Sequence, residues 1–208
     1  MKQETTERKK EEQDRTEYEI LPATEADRDQ VLALYQEQKG KEYCPWSDEY
    51  PGNETIDFDL SRDALYVMKE KEKKEEQDKG KEKDKEEEKD KRKILAAVSL
   101  DEDEDVNRLD CWDPAIAPGG ELARLAVHRD MQNRGLARIL LDFGMREWFR
   151  RGKKSIHFLV NRHNVKAIRS YAAFGFHVVG ECEMFDQEFL CYEISKEEYE
   201  EKCKIQFM

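Results

Sequence analysis

Tyr18-Glu-Ile-Leu21 alternates side chains across a pleat and predicts a first strand, stopped by Pro22, which has no N–H to give a ladder. Thr24 stands where an N-cap belongs. Behind it Val31, Leu32, Leu34 and Tyr35 form the apolar face of a helix that Gly40 ends. A loop rich in proline and aromatic residues runs from Tyr43 to Gly52, and a short helix is predicted over Asn53–Arg62. Ala64–Met68 and Ile94–Leu100 are apolar runs of strand length, the second and third strands. An acidic turn, Asp101–Asp105, and a loop containing Trp112, Pro114 and Pro118 lead to a fourth strand, Glu121–Val127. Leu136, Ile139, Leu140, Phe143 and Trp148 recur at helical spacing and predict an amphipathic helix over Leu136–Arg151, stopped by Gly152. Ser155–Val160 reads as a fifth strand and Asn164–Phe174 as a helix closed by Gly175. Phe176–Cys182 and Glu188–Ile194 read as the last two strands. Strand runs broken by two pairs of helices predict an α/β or α+β domain.

Composition at first contradicts that picture. Charged residues make up 41% of the 208 and the hydrophobic set 38%, against ~25% and ~45–50% in an average globular domain. Such a balance belongs to a disordered chain unless the charge is gathered outside the core. It is gathered. From Glu70 to Lys93 every residue but Gln77 and Gly80 is charged, 11 acids against 11 bases. Residues 1–17, with 6 acids and 5 bases, read as a solvated tail. Tail and run together take 17 of the 49 acids and 16 of the 37 bases, so the body keeps −11 of the net −12. The run reads as a spacer lengthening a strand hairpin, since each doubling of a loop costs only ~0.6 kcal/mol. A partner-binding element is the alternative.

Several classes are excluded on the same grounds. No apolar run nears the ~18 residues of a membrane span, and the N-terminus lacks the apolar stretch of a secretory signal. An acidic body argues against a nucleic-acid partner. The five cysteines are odd in number and form no Cys-x-x-Cys pair, which reads as reduced thiols in a cytoplasm. His128, His157, His163 and His177 lack metal-ligand spacing, so no metal is expected.

The stretch that carries chemistry is Arg129-Asp-Met-Gln-Asn-Arg-Gly-Leu-Ala137, between an apolar strand and a strong helix. A helix N-terminus offers free N–H groups and about +0.5 charge to a phosphate. Gly135 lets a ligand approach the backbone, Ala137 is nearly as small, and Gln132 and Arg134 add donors. The turn is neither a Walker loop nor a dinucleotide fingerprint.

At these residues the chain resembles the GNAT acyltransferase superfamily, whose (Gln/Arg)-x-x-Gly-x-(Gly/Ala) is matched by Gln132, Gly135 and Ala137. Leu125-Ala-Val127 matches that family's bulged fourth strand, and Asn164-x-x-Ala167-x-x-x-Tyr171-x-x-x-Gly175-Phe176 matches a second pattern. The resemblance implies a mixed, mostly antiparallel seven-stranded sheet flanked by about four helices and splayed between strands four and five. It implies acetyl-CoA as cosubstrate, contacted by Leu125, Ala126, Val127, Gln132, Asn133, Arg134, Gly135, Leu136, Ala137, Asn164 and Ala167. Tyr171 is implied near the thioester sulfur as the acid, and Glu121 as a base, with His128, His163 and Glu181 as alternatives. The domain then spans 18–195, interrupted by the charged insertion at 70–93 and followed by a C-terminal tail over 196–208.

Structural roles compete at each position. Asn164 serves equally as an N-cap, Tyr171 as a packed helix residue, Glu121 as a strand-end carboxylate and Arg134 as a solvated charge. Cys182 and Cys191 read as packed thiols. Tyr43, Trp46, Tyr50 and Trp112 either line an acceptor pocket or pack the loops. The expected function is N-acetyl transfer from acetyl-CoA to a primary amine, small or peptidic, in a ternary complex. A catalytically silent acyl-CoA sensor or scaffold is the alternative, and a protein-interaction module built on the insertion a third reading. A homodimer is compatible with the sequence.

Overall fold

A computed structural model of the chain describes residues 18–41, 44–71 and 92–206. The predicted tail at 1–17, most of the charged insertion, and Tyr43 lie outside the described residues. The strands are β1 Tyr18–Pro22, β2 Leu65–Glu70, β3 Ile94–Asp101, β4 Gly119–Val127, β5 Ser155–Asn161, β6 His177–Met184 and β7 Gln187–Ser195. The α-helices are α1 Arg28–Gln36, α2 Asn53–Ser61, α3 Glu104–Asn107, α4 Leu136–Arg150, α5 Val165–Phe174 and α6 Lys196–Gln206.

The strands form one seven-stranded sheet in the order β1-β2-β3-β4-β5-β7-β6. β3 is buried along its whole length because helices cover both of its faces, which is why it reads as a continuous apolar run. On one face Val31, Leu34 and Tyr35 of α1 and Ile56 of α2 pack on Val67, Ala97 and Ala126. On the other, Leu140, Leu141, Met145 and Trp148 of α4 pack with Val98, Leu100, Leu122 and Ile156.

Every sheet pairing is antiparallel except one. β4 and β5 run parallel and pair only over Gly119–Glu121 against Ser155–His157. Beyond Glu121 the two strands part, as expected. The departure coincides with a bulge: Ala97 faces Ala126 but Ser99 faces Ala123, so β4 carries an extra residue. Arg124 sits in that bulge at φ 50°, in the left-handed region.

The four predicted flanking helices are present, and α3 and α6 are additional. α3 arises in the predicted acidic turn, where Asp103 Oδ1 accepts from the amides of Asp105 at 2.9 Å and Val106 at 3.1 Å. α6 corrects the reading of 196–206 as a tail. A reciprocal cap starts it: the Ser195 amide donates to Glu198 Oε2 at 2.8 Å, and the Glu198 amide to Ser195 Oγ at 3.2 Å. Tyr199 enters the core and hydrogen-bonds Asp142 and Arg146 of α4. Lys202 Nζ donates to the Gly175 carbonyl at 2.8 Å and so closes the C-terminus of α5.

The ends of the charged run are held by the β2–β3 hairpin, where the Glu70 amide donates to the Lys93 carbonyl at 3.2 Å. Replacing residues 71–92 by a short Gly-containing turn should therefore leave the domain folded, with an unchanged or higher Tm. A fall of more than a few degrees by differential scanning fluorimetry would show that the run docks on the body.

Candidate active site

The parting of β4 from β5 leaves one edge of β4 without a strand partner beyond Glu121. His128 N–H donates to Leu95 of β3 at 2.9 Å, so by alternation the amides of Leu125 and Val127 face the gap. The Val127 carbonyl accepts from Gln38 Nε2 at 3.2 Å and Gln132 Nε2 at 3.1 Å. The Gln132 side chain is thus committed to the scaffold, where it fixes the turn that follows β4. A phosphate there would meet backbone rather than this amide.

That turn is a single 3₁₀ turn, Arg129–Met131, followed by Asn133 at φ 61° and Gly135 at φ 83°. Gly135 is the N-cap of α4, and no side chain caps the helix. The first-turn N–H groups, including those of Leu136 and Ala137, are left for an external acceptor. A Cβ on Gly135 would meet nothing within 4 Å, so the space in front of the turn is open. Arg134 is exposed beside it, and Leu136 turns its side chain into the core. These features fit a pyrophosphate.

On the α4 face, α5 carries the second pattern. Asn164 caps the helix, its Oδ1 accepting from the Ala167 amide at 3.0 Å, so the predicted N-cap role is real. Tyr171 stands over Phe158 of β5 at a centroid distance of 4.3 Å and beside Tyr192 at 6.1 Å. Burial, and then the neighbouring Tyr192, push its hydroxyl up to about 12. Among the described residues that hydroxyl has no hydrogen-bond partner.

Glu121 lies on the opposite face, in register with Asp101 of β3 and His157 of β5. Its backbone is pinned by Trp148, whose Nε1 donates to the Glu121 carbonyl at 2.7 Å. Trp148 reaches it because Gly120 has no Cβ, which would lie 2.7 Å from the indole. The carboxyl is buried, and among the described residues Oε2 has no hydrogen-bond partner. Burial first, and the Asp101 charge second, push it up to about 8 against the pull of Arg124.

The surroundings of Glu121 were not legible in the sequence. Arg124 forks onto Asp59 of α2, with Nε at 3.0 Å and Nη2 at 2.8 Å. The same Nη2 reaches Asp101 at 2.7 Å and Ser99 Oγ at 3.0 Å, and Nη1 donates to the Tyr50 hydroxyl at 3.0 Å. Arg62 bridges the same two aspartates, each at 3.0 Å. The usable signal was an arginine inside an apolar strand, Leu122-Ala-Arg124-Leu.

The other predicted groups stand apart. His128 accepts from the Asp130 amide at 3.3 Å in the 3₁₀ turn, His163 is exposed, and Glu181 is an exposed partner of Arg162. Trp46 packs edge-on against Tyr35, and Trp112 stacks on His157 at 4.6 Å, so both serve loop packing. Burial, then Lys153, lower His157 to about 4, so it is neutral at pH 7. Cys111, Cys182 and Cys191 are free thiols. The loop after α1 meets the β6–β7 turn, Gln187 Nε2 donating to the Pro45 carbonyl at 3.0 Å. A groove of about 440 Å³ between the starts of α1 and the end of α2 touches none of these residues. Among the described residues no His, Cys, Asp and Glu group is arranged to hold a metal, and no helix is long and apolar enough to cross a membrane.

The profile of the acetyltransferase (GNAT) family matches residues 29–176, and the chain belongs to that family. Solved structures agree on the fold. A GCN5-related N-acetyltransferase from Kribbella flavida superposes with a TM-score of 0.61 at 14% identity, over 86% of this chain and 98% of that one. The ribosomal-protein-S18-alanine N-acetyltransferase of Escherichia coli gives 0.56 at 17%, over 86% and 93%. The yncA protein of Salmonella typhimurium, solved with its cofactor acetyl-CoA, gives 0.56 at 16%, over 86% and 93%. No curated protein matches the sequence.

Because Glu121 holds its proton up to about 8 when folded and releases it near 4.5 when unfolded, its contribution to stability is complete below pH 4.5 and is lost as pH rises to about 8. Glu121→Gln should remove that loss. Urea midpoints of the variant and the parent should diverge in the variant's favour from pH 5 to pH 8.5. A pH-independent difference would contradict the raised proton affinity.

Proposed function

We propose that the chain transfers the acetyl group of acetyl-CoA to a primary amine by direct attack in a ternary complex. The observation that carries this reading is a β4 edge without a strand partner running into an open helix N-terminus, with the Glu121 carboxyl at the last paired rung on one face of the sheet and the Tyr171 hydroxyl on the other face. Pantetheine pairs along Leu125 and Val127, the pyrophosphate rests on the amides after Gly135, and Asn164 offers its Nδ2 to the cofactor. Asn133 and Ala167 line the same path, and Ala126, packed in the core and paired with Ala97 of β3, backs it.

Attack needs a neutral amine. In its ionised form Glu121 takes one proton from it as the nitrogen adds to the thioester carbonyl carbon, the C–S bond then breaks, and Glu121 releases that proton to solvent before the next turnover. A group poised near pH 8 suits this task. The departing thiolate, with a thiol pKa of ~8.5, does not need the proton of Tyr171, which is held up to about 12. Tyr171 instead donates a hydrogen bond to the developing charge, and solvent protonates the thiolate.

The test is thiol release from acetyl-CoA with a panel of peptide N-termini, a lysine peptide, spermidine and an aminoglycoside. Release that depends on at least one amine is expected. Binding of coenzyme A by calorimetry without any amine-dependent release would establish the sensor reading instead.

Two variants probe the halves of the site. Gly135→Glu should abolish coenzyme A binding, because it puts a carboxylate where phosphate rests; the left-handed backbone adds only ~1–2 kcal/mol of strain, so the fold survives. Unchanged affinity in the folded variant would remove the phosphate from this turn. Tyr171→Phe should leave coenzyme A affinity unchanged and lower kcat about 10- to 100-fold, ~1.4–2.7 kcal/mol of barrier. Equal kcat in the two proteins would assign Tyr171 to packing alone.

A further inference from the structure

The face of the sheet that holds Glu121 also holds a closed set of charges. Arg124 and Arg62 are both within 3.0 Å of Asp59 and Asp101. Two guanidinium groups and two carboxylates balance to zero, and the Arg124 and aspartate side chains are at most 8% exposed. Glu121 is therefore the surplus carboxyl of a neutral, water-poor cluster. Its neighbours on every side are known. Asp101 of β3 is its cross-strand partner, Arg124 lies three residues along its own strand, and Asp103 and Tyr50 approach from the loops. His157 of β5, neutral at pH 7, flanks it on the remaining side.

Arg124 does two things in this arrangement. Its left-handed backbone makes the bulge that parts β4 from β5, and its guanidinium, held by five contacts, keeps that backbone in place. The same guanidinium pairs with Asp101, the carboxylate opposite Glu121 in the ladder, and keeps it ionised. Burial would raise Asp101, but Arg124, the Glu102 amide and Arg62 outweigh it and hold it below the ordinary carboxylate value. Asp101 thus stays ionised and opposes a second charge beside it.

We propose that Arg124 and Asp101 are positioning residues that act as an opposed pair on Glu121: Asp101 holds the proton on Glu121, and Arg124 allows it to leave. This builds on the reading of Glu121 as the base, but the pair sets the carboxyl's charge whether or not that reading holds. A merely structural cluster would respond to loss of either member in the same direction, by loosening. An opposed pair responds in opposite directions.

The test is a carbon-detected NMR titration of the Glu121 carboxyl in the full chain without substrate. It is made on the parent, Asp101→Asn, Arg124→Gln and the double variant. Asp101→Asn should lower the proton affinity of Glu121 at least tenfold, and Arg124→Gln should raise it by a similar factor. The double variant should return within about threefold of the parent. Arg124→Gln leaves two buried aspartates with one partner and is the variant most prone to unfold. If it does, Asp101→Asn alone decides. A Glu121 titration within threefold of the parent in folded Asp101→Asn, or shifts of the same sign in both single variants, would overturn the proposal. The readout needs no turnover, so an inactive enzyme with the opposed shifts overturns only the assignment of Glu121 as base.

Discussion

A guanidinium clamped between two buried aspartates decides the shape of this molecule. Arg124 occupies a backbone region that costs a side-chain-bearing residue ~1–2 kcal/mol. The strand tolerates it because losing Arg124 would leave Asp59 and Asp101 to share Arg62 alone, and a broken buried pair costs more, ~3–5 kcal/mol. From that bulge follow the extra residue in β4, the end of the β4–β5 ladder at Glu121 and the open edge beyond it. The helix that starts at the far end of that edge, α4, faces it with an uncapped N-terminus. The open β4 edge thus traces to one ion cluster on the α1–α2 face.

The same cluster ties α2 and the loop before it to the site. Asp59 belongs to α2, and Tyr50, bonded to Arg124, belongs to the loop between α1 and α2. That loop touches the β6–β7 turn through Pro45 and Gln187. On the other face α6 fastens α5, which carries Tyr171 and Asn164, through Lys202 and the Gly175 carbonyl. Glu121 and Tyr171 lie on opposite faces of the sheet, Glu121 at the last paired rung of β4 and β5 and Tyr171 over Phe158 of β5.

Much of this was legible in the sequence, for identifiable reasons. Strands and the long helices announce themselves by apolar period, and Gly135 and Asn164 by the local demands of a turn and a cap. The splay was accessible only through resemblance, because a missing ladder leaves no mark on residue pattern. α6 was missed because Tyr199 is the one large buried side chain among those described in it, although Ser195-Lys-Glu-Glu198 already spelled its capping box. The Gln132 side chain looked free for a ligand, and only the fold shows it spent on Val127. The Arg124 cluster joins residues far apart in the chain, 65 positions between Arg124 and Asp59, so no local pattern predicts it. Composition nearly hid the domain altogether, since charge concentrated in the tail and the insertion masks an ordinary core.

The central claim is that the β4 edge and the α4 N-terminus form one continuous ligand surface. Amide hydrogen exchange, resolved by NMR with and without saturating acetyl-CoA, tests it most directly. The account predicts new protection at Leu125 and Val127 and at the first-turn amides Leu136 and Ala137, together, while the β1–β2 side of the sheet is unchanged. Saturable binding that protects neither segment, or protects only the groove lined by Thr24, Arg28 and Asp57, would contradict it.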